Sequence, residues 1–88
     1  MNIQRKNQLQ RISNIIFCLQ VKPMNKEELK DKLFEKFQIC FSNSQIEKDL
    51  FCLKNDFDAP IEYNKLMKKY VLIEHYDFKE ALYNYVTL

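Results

Sequence analysis

The sequence predicts a mainly helical α+β fold in which three helices are followed by a small β-hairpin. Three observations carry that prediction. Apolar residues recur at three and four positions in three stretches before Asp58, polar caps and a proline separate those stretches, and beyond Pro60 the period shortens to strand, polar turn, strand. A chain of 88 residues suits one domain over residues 1–88, since so short a chain furnishes one core.

Helix one is expected over about residues 4–20, where Leu9, Ile12, Ile16 and Leu19 form the stripe and Ile15 widens it. Val21-Lys22-Pro23 ends it, because the residue before proline is pushed out of the helical region. Asn25 followed by Glu28 is a capping-box pattern that starts helix two, about residues 26–36, with Leu29 and Leu33 inward and Phe34 or Phe37 closing the end. Ser42 is a good N-cap for helix three, about residues 43–56, whose inward positions are Ile46, Leu50, Leu53 and Phe57. Ile61-Glu62-Tyr63 and Tyr70-Val71-Leu72-Ile73 flank a basic turn and give a hairpin over about residues 61–73. Asp77 is a further N-cap, and Phe78, Leu82 and Tyr85 have helical spacing, so a short fourth helix fits about residues 78–86. This order of elements is that of a winged helix-turn-helix.

Composition narrows the function classes. Apolar residues make up 47% and charged residues 30%, the balance of a soluble globular protein. No apolar run approaches the roughly 18 residues of a membrane span, and Gln8, Gln10, Arg11, Ser13 and Asn14 interrupt any leader, so a cytoplasmic protein with no membrane partner is expected. Glycine is absent, which excludes a Walker loop or dinucleotide fingerprint, both of which bring bare backbone close to phosphate. Cys18, Cys40 and Cys52 are odd in number and have no CxxC spacing, so each is expected to act as a core or near-core hydrophobe. His75, the one histidine, has no metal or triad spacing. No cofactor, no metal and no catalytic constellation is expected, and the chain is not read as an enzyme.

In a helix-turn-helix unit the second helix enters the major groove and its first turns meet base edges. The reader positions are therefore Asn43, Ser44, Gln45 and Lys48, residue types that bond adenine or guanine edges and also suit a solvated helix start. Lys65, Lys68 and Lys69 on the hairpin turn are placed to meet phosphate; blandly, three lysines there are a solubilising tip. Arg5, Lys6, Arg11 and Lys26 add contacts if they share that side. Glu47 either accepts from a cytosine amine or is plain surface, and Asp49 bonds a neighbouring basic side chain or lies off the interface. Phe51, Tyr76, Tyr83 and Tyr85 are surplus aromatics that either contact a partner or tuck under the hairpin or terminal helix.

Phe41-Ser42-Asn43-Ser44-Gln45-Ile46-Glu47-Lys48-Asp49-Leu50, Leu53, and Ala59-Pro60-Ile61-Glu62-Tyr63 up to Tyr70 carry a resemblance over roughly residues 11–73. Together they resemble the N-terminal winged-helix domain of the WYL-domain transcription regulators, bacterial repressors and activators related to the DeoR-type group. Ser42, Lys48-Asp49-Leu50, Pro60-Ile61-Glu62-Tyr63 and Tyr70 match the family's pattern, while Ser44 and Gln45 stand where Arg and Thr are common and Lys69 replaces the usual wing glycine. The family's downstream ligand-sensing domain is missing from this sequence, so the resemblance implies an excised N-terminal domain or a free-standing small regulator.

The expectation is a sequence-specific binder of double-stranded DNA that acts as a homodimer on a two-fold operator, since one such module buries little surface. The alternative keeps the fold and makes it a protein–protein interaction module, which the small net charge of +2 and the surplus aromatics suit.

Overall fold

A helix leaves its first N–H groups without internal partners, and in this chain polar side chains take them up at the start of the second, third and fourth helices. The structure, a computed structural model, describes residues 3–38, 40 and 42–87, with side chains from residue 7 onward. Among them are four helices, α1 (Ile3–Val21), α2 (Lys26–Phe37), α3 (Asn43–Asn55) and α4 (Phe78–Thr87), and one antiparallel pair of strands, β1 (Ile61–Asn64) and β2 (Lys69–Leu72). The chain is thus mainly helical α+β. Among the described residues no helix is long and apolar enough to cross a membrane.

The caps work as the sequence suggests. Asn25 accepts from the Glu28 N–H at 2.8 Å while Glu28 accepts from the Asn25 N–H at 3.1 Å, the reciprocal capping box. Ser42 accepts from the Gln45 N–H at 3.1 Å, and Asp77 from the Glu80 N–H at 3.1 Å. A cap of this kind contributes about 1 kcal/mol.

The core is one continuous cluster. Ile12, Ile15, Ile16 and Leu19 of α1 meet Leu29 and Leu33 of α2, Ile46, Leu50 and Leu53 of α3, and Phe57, Ala59 and Ile61 from the path into the hairpin. α4 closes one edge through Phe78, Ala81 and Leu82, and the Tyr85 ring lies 4.6 Å from that of Phe57. Tyr76 is tied down by its hydroxyl, which donates to the Phe57 carbonyl; burial, helped by the charge of Asp58, pushes this phenol up from 10.0 to about 12.

Three expectations are corrected. Phe34 and Phe37 do not close the buried side of α2, for both are exposed: Leu29 and Leu33 hold the inward line, Phe34 stands one residue, about 100°, away from it, and Phe37 sits on the last turn. Cys40 is exposed in the connector, whereas Cys18 and Cys52 are buried on helices, as expected of small hydrophobes. Lys69 is not in the turn but opens β2, opposite Asn64.

The hairpin is fixed by more than its own ladder. Ile61 pairs with Leu72 and Tyr63 with Tyr70. Between α1 and α2, Met24 exchanges both backbone hydrogen bonds with Tyr70, at 3.1 and 2.8 Å, so the interhelical connector adds one bridge to the sheet's edge. In the turn, Asn64 Oδ1 accepts from the Met67 N–H at 2.9 Å, and Lys68 takes a left-handed conformation with φ 57°. Non-glycine residues pay roughly 1 kcal/mol or more for that conformation. The special backbone position of the turn is therefore Lys68, whereas the resemblance to the WYL-domain regulators sets Lys69 at the wing glycine.

Candidate nucleic-acid interface

α3 divides its residues cleanly between an inward and an outward side. Ile46, Asp49, Leu50, Cys52 and Leu53 are buried. Ser44, Glu47, Lys48 and Phe51, at three- and four-residue spacing, line one shallow outward hollow. Asn43 is exposed beside them, and the first turn carries no acidic residue, which leaves its positive dipole end uncompensated.

A buried ion pair sets the orientation of this helix. Asp49 is wholly buried and accepts from Arg11 of α1 twice, from Nε at 2.9 Å and Nη2 at 3.3 Å, with a third bond from Gln45 Nε2 at 2.9 Å. A buried carboxylate is tolerated only with such a set of partners. Two site residues are thereby reassigned: Arg11 is engaged in tying α1 to α3, and the Gln45 amide turns inward to Asp49, so Gln45 is not an outward reader in this conformation. Of the alternatives for Asp49, the neighbouring basic partner is the one realised.

The first turn of α2 lies between α3 and the hairpin and is joined to each by an ion pair. Lys26 donates to Glu47 of α3, and Lys69 of β2 reaches Glu28 at 3.3 Å. The Glu47 hydrogen bond holds the Lys26 ammonium above its ordinary value, and the Asn25 N–H, then Lys69, hold Glu28 below its own. Lys26 and Lys69 are therefore in intramolecular contacts, although the sequence suggested nucleic-acid contacts for them, and Glu47, expected to meet a cytosine amine or to be plain surface, is exposed and paired with Lys26. What the sequence missed was the partner of each: Lys69 and Glu28 are far apart along the chain, and no local pattern links them.

At the tip, Lys65 and Lys68 are exposed, and neither they nor Lys48 form an ion pair among the described residues. The side chain of Arg5 lies outside the described residues, as does that of Lys6. Of the sequence-derived set, Asn43, Ser44 and Lys48 thus share the outer side of α3, Lys65 and Lys68 stand on the turn, and the rest are engaged or undescribed. Phe51, treated in the sequence as a surplus aromatic, belongs to the α3 outer stripe, and its seven-residue spacing from Ser44 was the available signal.

Tyr83 is 67% exposed, while Tyr76 and Tyr85 pack on Phe57. No three His, Cys, Asp or Glu side chains among the described residues come together in a way that could hold a metal ion. No protein-family model, no curated protein and no solved structure matches the chain.

Proposed function

We propose that the chain is a winged helix-turn-helix domain that binds double-stranded DNA sequence-specifically, as a transcription regulator or its DNA-binding part. In this reading α3 enters the major groove and the β1–β2 hairpin is the wing on the backbone. The observation that carries it is that three lysines without an ion pair among the described residues stand on these two elements. Lys48 on the outer stripe of α3 and Lys65 and Lys68 on the hairpin turn are open to solvent, while the ion pairs through α2 hold the two elements on either side of its first turn. Open cations release counterions from phosphate on binding, and paired ones must first exchange a carboxylate.

Asn43, Ser44 and Lys48 then meet base edges, and Phe51 packs on a thymine methyl or the sugar backbone further along the groove. The resemblance to the WYL-domain regulators supports the same placement. A homodimer on a two-fold site supplies the surface that one module lacks.

The test is a titration of the chain against a mixed pool of duplex DNA at two salt concentrations, read by fluorescence anisotropy, with sequencing of the retained duplexes. Enriched sequences bound with a steep salt dependence are the expected result. Absence of binding at low salt overturns the reading. The competing protein-interaction module is favoured by the 69% exposure of Phe51, and an apolar contact there would respond little to salt.

A further inference from the structure

The sequence assigned no role to Phe17, yet on α1 it is 47% exposed and its ring is capped by Lys36 of α2, whose ammonium stands 4.8 Å from the ring centroid. Phe17 forms the ridge between two hollows in the groove where α1 and α2 meet. One, of about 520 Å³, is walled by Asn14, Phe17, Lys36 and Phe37; the other, of about 290 Å³, by Phe17, Val21, Lys22 and Lys32.

Three features of this groove specify an occupant. Asn14, Phe17 and Val21 succeed each other at three and four residues, about 10 Å of helix, the length over which a helix laid alongside presents side chains at i, i+4 and i+7. Lysines 22, 32 and 36 border the hollows, and no Asp or Glu is among their described lining residues. Glu35 reaches Lys32 at 3.8 Å in an exposed pair of the kind that holds weakly, and Glu28 feels the charge of Lys22 without forming an ion pair with it. Finally, the Asn14 side-chain nitrogen is buried and has no acceptor among the described residues, an unmet donor in a residue that walls the larger hollow.

We propose that the groove between α1 and α2 around Phe17 is a docking site for an acidic amphipathic helix of a partner protein. Two apolar side chains of that helix seat on either side of the Phe17 ring. Its carboxylates pair with Lys22, Lys32 and Lys36, and one meets the Asn14 amide after a small rotation of that side chain. The inference does not depend on DNA binding by α3.

The probe is a fluorescein-labelled synthetic helix with leucines at i, i+4 and i+7 and glutamates on its remaining face, titrated against the full chain by anisotropy. Two control peptides accompany it, one with lysines replacing the glutamates and one with the acidic composition scrambled. The acidic helix is expected to bind at least tenfold more tightly than either control. Lys32→Glu with Lys36→Glu, and separately Val21→Glu at a 65% exposed position, are each expected to weaken it at least tenfold while circular dichroism stays that of the parent. Equal binding of all three peptides, no binding of the acidic one, or unchanged affinity in the folded variants overturns the proposal. So does self-association of the chain that these variants abolish when no peptide binds, since the groove would then belong to a second copy. Duplex titration of the same variants tests the DNA reading separately.

Discussion

The first turn of α2 and the tip of the hairpin both carry lysines, but the structure treats them oppositely. Lys26 and Lys69, with Arg11 behind them, are spent on Glu47, Glu28 and Asp49; Lys65 and Lys68 have no carboxylate partner among the described residues. The paired cations hold helices and strands in place, and the unpaired ones are available to an outside anion. Net charge therefore understates the turn, because Glu28, Glu47 and Asp49 neutralise cations of the scaffold and not those of the tip.

The largest way to break this division is to remove the deepest pair. Arg11→Ala leaves Asp49 charged and buried with only Gln45 beside it, and should destabilise the fold by about 3–5 kcal/mol, measured by urea unfolding at neutral pH. A loss below about 1 kcal/mol would mean that Asp49 finds water or another donor.

Reversing the open charges should leave stability near that of the parent and act on DNA. Lys65→Glu with Lys68→Glu is expected to weaken duplex binding more than tenfold and to lower the salt slope by about two, one for each phosphate contact. Glu47→Gln does the opposite. It releases Lys26, so binding should tighten a few-fold and the slope rise by about one; an unchanged slope would place Lys26 off the DNA.

Lys68→Gly separates conformation from charge at one residue. Relief of the left-handed backbone should raise stability by about 0.5–1 kcal/mol in thermal unfolding, while DNA affinity falls. The smallest effect concerns Glu28. Its folded-state value lies below the ordinary 4.5, so its contribution is complete above that pH and is lost as pH falls through the depressed value. Glu28→Gln should give a shallower decline of the melting temperature between about pH 5 and 3, and an unaltered acid limb would remove Glu28 as its source.

Much of the architecture was legible because its signals are local. The stripe from Leu9 to Leu19, the Asn25–Glu28 box, the Ser42 and Asp77 caps and the change of period after Pro60 each follow from neighbours a turn or a residue pair away. The outer side of α3 was legible for the same reason, since a helix with Ile46, Leu50 and Leu53 inside must present Ser44 and Lys48 outside. Phe34 and Phe37 show the limit of such reasoning: an apolar residue near the end of a stripe is buried only if another element comes to cover it.

By itself, then, the sequence determined the helices, the hairpin and most of the core, though not Met24 or Ala59, because period and capping are properties of the chain over a few residues. Tertiary structure alone decided which polar groups are available. Gln45 turns to Asp49 on the inward face of α3, where Arg11, 38 residues away along the chain, arrives as the other donor to that carboxylate. Met24 becomes part of the sheet edge because Tyr70 arrives beside it. Lys69 is neutralised and Lys68 is not because the turn closes one residue earlier than its charges suggest, placing Lys69 over Glu28. Electrostatic pairing depends on distance in space, and that distance is fixed only when the core has closed.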